Sequence, residues 1–152
     1  MEAAAIPQVR KWAEESFASG LFCAESVVLA IARAEGVDSE LLPKIATGFC
    51  GGMSRTCGTC GAVSGAIMGI GLALGRSTAK APSQPAYAAT ERLMRMFEHE
   101  FGSRDCHILL DGCDLGTPEG QAMFQVRKLD GRCRQMTGRA AEIAARIIAE
   151  NG

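Results

Sequence analysis

The sequence predicts an all-α protein, a compact single-domain bundle of about six to seven helices around a glycine-rich central helix, and three observations carry that prediction. Apolar residues recur every three or four positions in most segments, no stretch alternates with the period of two expected of strands, and proline, glycine and small polar residues fall where helices would begin and end. With 152 residues, 47% of them hydrophobic and 22% charged, the chain is long enough to bury one core, so residues 1–152 are read as one domain.

Residues 7–18 place Val9, Trp12, Ala13 and Phe17 at helical spacing, with Pro7 suited to the first turn and Gly20 to the stop. A second helix spans about residues 22–35 on the stripe Cys23, Val27, Ala30, Ile31 and Ala34, ended by Gly36. Asp38 or Ser39 can cap a short third helix through Leu41, Leu42, Ile45 and Ala46, with Pro43 tolerated only in its first turn. Glycines at 48, 51, 52, 58 and 61 forbid regular structure between residues 48 and 61 and permit close backbone approach to a ligand, which marks a functional loop. The central buried helix, residues 62–74, carries small residues against which neighbouring backbones can pack tightly. Residues 78–85 read as a linker or a helix start, followed by a helix over 88–101 closed by Gly102. A short helix through Cys106, Leu109 and Leu110 stops at Gly112, Thr117-Pro118 opens another, and Asp130 caps the last, in which Cys133, Met136, Ala140, Ile143, Ala144 and Ile147 recur at helical spacing.

A net charge of −1 and a pI near 6.1 provide no basic surplus for nucleic acid or anionic lipid. Residues 56–75 are uncharged, but their strongly apolar part, 62–74, is shorter than the ~20 residues a bilayer requires, so membrane insertion is not expected. Residues 1–7 lack the features of an export signal, and the expected location is the cytoplasm. Seven cysteines in a reducing compartment, an odd number, point to thiol chemistry or metal ligation and away from a disulfide framework.

Cys23, Cys60, Cys106 and Cys133 each fall just before or within the first turn of an expected helix. Unpaired first-turn amides and the positive end of the helix dipole favour a thiolate there, so these four are the candidate cofactor or metal ligands. Cys57-Gly58-Thr59-Cys60 is a C-x-x-C run leading into a helix, the local arrangement of dithiol oxidoreductases, which makes Cys57 and Cys60 the candidate catalytic pair. No βαβ pattern supports a thioredoxin fold, Gly61 in place of histidine argues against c-type haem, and a zinc knuckle would need a second pair. Cys50 and Cys113 are spare ligands or resolving thiols, and neither His99 nor His107 is favoured as a ligand.

The run Cys60-Gly61-Ala62-Val63-Ser64-Gly65 resembles the C-G-A-x-x-G signature of the C_GCAxxG_C_C family. Cys23-Ala24-Glu25-Ser26-Val27 is similar to that family's early cysteine segment, residues 46–53 to its glycine loop, residues 106–114 to its third cysteine region, and Cys133 to its last cysteine. The resemblance implies a helical protein with a redox role, associated with transporters or oxidoreductases, and an iron–sulfur cluster; Cys57 is an addition to the pattern.

Three functions therefore stand open. The first is electron transfer through an iron–sulfur cluster held by Cys23, Cys60, Cys106 and Cys133, with a redox partner protein or a transporter-associated system supplying or accepting electrons. The second is thiol–disulfide exchange at Cys57 and Cys60, and the third is zinc or soft-metal binding without turnover by the same thiolates. The glycine face of the central helix also leaves a homodimer open.

Overall fold

Pro7 sits in the first turn of α1 (Ile6–Ala18), where its missing N–H costs nothing, and a single 3₁₀ turn (Ala3–Ala5) leads into it. In the computed structural model, which describes residues 1–152, the chain then forms α2 (Cys23–Ala34), α3 (Leu41–Ala46), α4 (Gly61–Leu74), α5 (Gln84–Phe101), α6 (Cys106–Leu109), α7 (Pro118–Val126) and α8 (Asp130–Asn151). The fold is all-α, as the sequence predicts. Its only extended pairing is an isolated bridge between Thr59 and Asp105, and no helix is long and apolar enough to cross a membrane.

Local chemistry accounts for most helix ends. The Glu25 carboxylate accepts from the Phe22 N–H at 2.9 Å at the start of α2, Ser39 Oγ accepts from the Leu41 N–H at 3.2 Å ahead of α3, and Thr117 Oγ accepts from the Gly120 N–H at 2.9 Å at the start of α7. Gly102, at φ 84°, closes α5. Pro85 lies in the first turn of α5, so part of the expected linker is already helix. Asp130 is the first residue of α8 and its side chain caps nothing; Leu129 occupies the cap position.

The core lies where α1, α2, α4, α5 and α8 meet, around Val9, Ile31, Val63, Ile70, Phe97 and Ile143. α4 crosses α2 at very short range because Gly65 and Gly69 face it. A Cβ at Gly65 would lie 2.5 Å from the Ala24 carbonyl oxygen, and one at Gly69 would lie 2.4 Å from Ile31 Cδ1. This seam brings the start of α4 beside the start of α2.

Candidate functional site

Five cysteines line one cavity of about 800 Å³: Cys23, Cys50, Cys60, Cys106 and Cys133, from the starts of α2, α4, α6 and α8 and from the segment before α4. Cys23 and Cys106 are the first residues of α2 and α6, Cys60 immediately precedes α4, and Cys133 lies in the first turn of α8. Apolar side chains, among them Phe22, Leu109 and Phe124, form much of the remaining wall, with Arg55 and Gln125 adding polar groups.

Cys60 and Cys106 are brought together by a short stretch of extended backbone. The Cys60 N–H donates to the Arg104 carbonyl at 2.6 Å and the Cys106 N–H donates to the Gly58 carbonyl at 3.0 Å, which zips the C-x-x-C loop onto the start of α6. Gly52 closes the other side: a Cβ there would stand 2.5 Å from Cys106 Cβ and 3.3 Å from its Sγ.

The glycine loop is ordered as a left-handed helical turn. Residues 51–55 all have positive φ, between 56° and 69°, and three of them, Met53, Ser54 and Arg55, carry side chains. That conformation costs L-residues roughly 1–2 kcal/mol each, so the surroundings must hold it. Ser54 Oγ donates to the Gly48 carbonyl at 2.8 Å, Thr56 Oγ to the Met53 carbonyl at 2.7 Å, and the Gly58 N–H to the Gly52 carbonyl at 2.9 Å.

All seven cysteines are thiols. The helix-start argument predicts thiolates, and at Cys60, Cys106 and Cys133 the structure corrects it. Burial pushes the Cys60 and Cys106 thiols up to about 11 and Cys133 to about 12; the first amides of α4, at Ala62 and Val63, pull Cys60 down but do not overcome its desolvation. Neighbouring cysteines add to the rise at Cys133. The sulfurs surround the cavity without converging on a point, and no three His, Cys, Asp or Glu side chains are grouped closely enough for a single metal ion.

A family model described as "Putative redox-active protein (C_GCAxxG_C_C)" matches residues 21–147, a span that contains every cysteine. The chain belongs to that family. No curated protein and no solved structure matches it.

In this C_GCAxxG_C_C chain the glycines of the signature have a steric role. A Cβ at Gly61 would lie 2.3 Å from Cys23 Sγ, 3.0 Å from the Phe49 carbonyl oxygen and 3.1 Å from Cys50 Cα, so only glycine lets these three groups close around the start of α4. The two sulfurs of the C-x-x-C run have different surroundings. Cys60 lines the cavity, whereas Cys57, at φ 59°, lies outside its lining, where desolvation and then the nearby Asp114 carboxylate push its thiol up. Cys113 is buried elsewhere, its thiol donating to the Gly120 carbonyl at 3.0 Å, and neither histidine reaches the cavity.

Three participants escape sequence reasoning. Cys50, treated there as a spare, is buried in the cavity wall against Cys23. Its Sγ lies 3.8 Å from Glu25 Oε1 and 3.6 Å from the Ala46 carbonyl oxygen, and Thr47 Oγ donates to Glu25 Oε2 at 2.9 Å. Contact with Cys23, then burial, push the Cys50 thiol far up. Glu25, three residues after Phe22, carries a helix-start signal in the sequence; nothing local links it to Thr47 or Cys50.

Proposed function

We propose that this protein is an electron carrier whose cavity holds an iron–sulfur cluster on Cys23, Cys60, Cys106 and Cys133, exchanging electrons with a redox partner protein. The observation that supports it is the convergence of these four cysteines, from four separate helices, on one cavity. Thiols are the soft donors that iron–sulfur clusters require, and a cluster spans a wider gap than one ion does, in keeping with sulfurs that ring a cavity of about 800 Å³ without crowding together.

A bound cluster would supply one-electron redox chemistry. The chain's own residues prepare the space for it. Gly52 and Gly61 leave room beside Cys106 and Cys23, and apolar side chains form much of the wall around the sulfurs.

Anaerobic reconstitution of the full chain with ferrous iron and sulfide tests this reading. The expected product is brown and contains iron and labile sulfide, and Cys60→Ser or Cys133→Ser cuts the iron content at least several-fold. Colourless protein without iron after reconstitution would overturn it. Zinc retained in place of iron would favour the non-catalytic metal site instead, and elemental analysis of the same sample reads that outcome.

A further inference from the structure

The four proposed ligands leave the fifth cavity cysteine, Cys50, without a role, and its environment suggests one. Its backbone lies beside the sulfur of Cys23, a residue 27 positions away in the chain, and both line the cavity. Both flank one point: the Cβ position of Gly61, 2.3 Å from Cys23 Sγ and 3.1 Å from Cys50 Cα. Glu25 ties the arrangement together from below, since it starts α2 through the Phe22 N–H and also accepts from the Cys50 thiol and the Thr47 hydroxyl. Cys23 is half-buried and Cys50 is 7% exposed, so the pair has an accessible member and a sheltered one.

We infer that Cys23 and Cys50 form a reversible dithiol–disulfide couple that exchanges with small-molecule disulfides entering the cavity, Cys23 attacking and Cys50 resolving. In the first step Cys23 Sγ attacks one sulfur of the small disulfide; that S–S bond breaks, Cys23 carries a mixed disulfide, and one small thiol leaves with the Cys23 proton. Cys50 Sγ then attacks Cys23 Sγ, the mixed bond breaks, the Cys23–Cys50 bond forms, and the second small thiol leaves with the Cys50 proton. Two protein thiols have together lost two electrons and one small disulfide has gained them. The couple differs from the Cys57/Cys60 pair that sequence spacing suggests, because contact across the fold selects the partners. It operates in metal-free protein and does not depend on the cluster reading.

The test uses reduced, metal-free, full-length protein and bis(2-hydroxyethyl) disulfide, followed by trapping of remaining thiols and digestion with trypsin. Cleavage after Lys11, Arg33, Lys44 and Arg55 places Cys23 in the fragment 12–33 and Cys50 in the fragment 45–55, each with a single cysteine. The expected result is the loss of two of the seven thiols and one dominant linked species joining these fragments, released by dithiothreitol. In Cys50→Ser the 2-hydroxyethylthio group stays on Cys23 and accumulates at least tenfold above its level in the native protein. A dominant linkage of any other pair, or equal accumulation of the mixed disulfide in both proteins, overturns the inference. If Cys50→Ser does not fold, the linkage map of the native protein decides alone. Iron uptake is not measured in this assay, so its outcome and that of the cluster test separate cleanly.

Discussion

At Gly61 a single methyl group would meet a sulfur and two backbone atoms, none of which is the free end of a flexible chain except Cys23 Sγ. Gly61→Ala is therefore expected to lower stability by about 1–3 kcal/mol, the usual range for overpacking, and to abolish Cys23–Cys50 linkage. Urea unfolding and the fragment map read the two effects. The thiols provide a second prediction at this scale. Since burial holds Cys60, Cys106 and Cys133 at about 11 to 12, alkylation of these three by iodoacetamide should be slow at pH 7 and rise about tenfold per pH unit up to pH 10. Modification of Cys60 at pH 7 at the rate of a free thiol would show that the helix-start amides outweigh desolvation after all. Sequence reasoning located these residues correctly at helix starts; the sign of their ionisation depends on how deeply the completed fold covers them.

Between elements, the α2–α4 seam and the α1–α8 contact make separate predictions. Gly65 abuts the backbone of Ala24, which cannot move without parting the helices, so Gly65→Ala should destabilise by about 1–3 kcal/mol. Gly71, on the exposed part of the same helix with nothing within 4 Å of its Cβ position, should gain about 0.5–1 kcal/mol on substitution by alanine. Denaturant midpoints for the two variants should move in opposite directions. On the other side of the bundle, Glu142 of α8 receives Arg10 of α1 at 2.8 Å and Arg139 at 3.1 Å. Partial burial opposes its ionisation, but the two guanidiniums overcome that and hold its carboxyl below the usual carboxylate range. Its pKa is lower folded than unfolded, so the stabilisation is complete above the ordinary carboxylate pKa and is lost as pH falls through the depressed folded value. Glu142→Gln should flatten the acid limb of stability against pH and leave the shape of the curve above pH 6 unchanged. The left-handed turn at residues 51–55 shows the limit of local reading at this scale. Glycines 51 and 52 announce an irregular backbone, but Met53, Ser54 and Arg55 have no intrinsic preference for positive φ and are held there by partners such as Gly48.

Over the whole molecule, the site is built against one side of the core, sharing Cys60, Leu109, Leu110 and Met136 with it, while other core residues lie away from the cavity. Phe97 of α5 is fully buried and packs on Phe101 with ring centroids 4.7 Å apart, and it does not line the cavity. Phe97→Ala should lower the free energy of unfolding by about 3–5 kcal/mol while Cys23 and Cys50 still link in the fraction that remains folded. Calorimetry with the fragment map would show whether the two properties separate in this way.

Helix positions, the all-α class and the candidate cysteines were determined by the sequence itself, because capping, proline placement and apolar periodicity act within one or two turns of chain. Residues as local as Pro7, Ser39, Thr117 and Gly102 mark their helix ends whatever the rest of the fold does. Tertiary structure alone decided that Cys23 meets Cys50 beside Gly61, that Cys57 lies near Asp114, and that Cys60, Cys106 and Cys133 are held protonated. Contact between distant residues depends on how helices cross, and ionisation depends on how much water the assembled bundle excludes; neither is a property of any short stretch of chain.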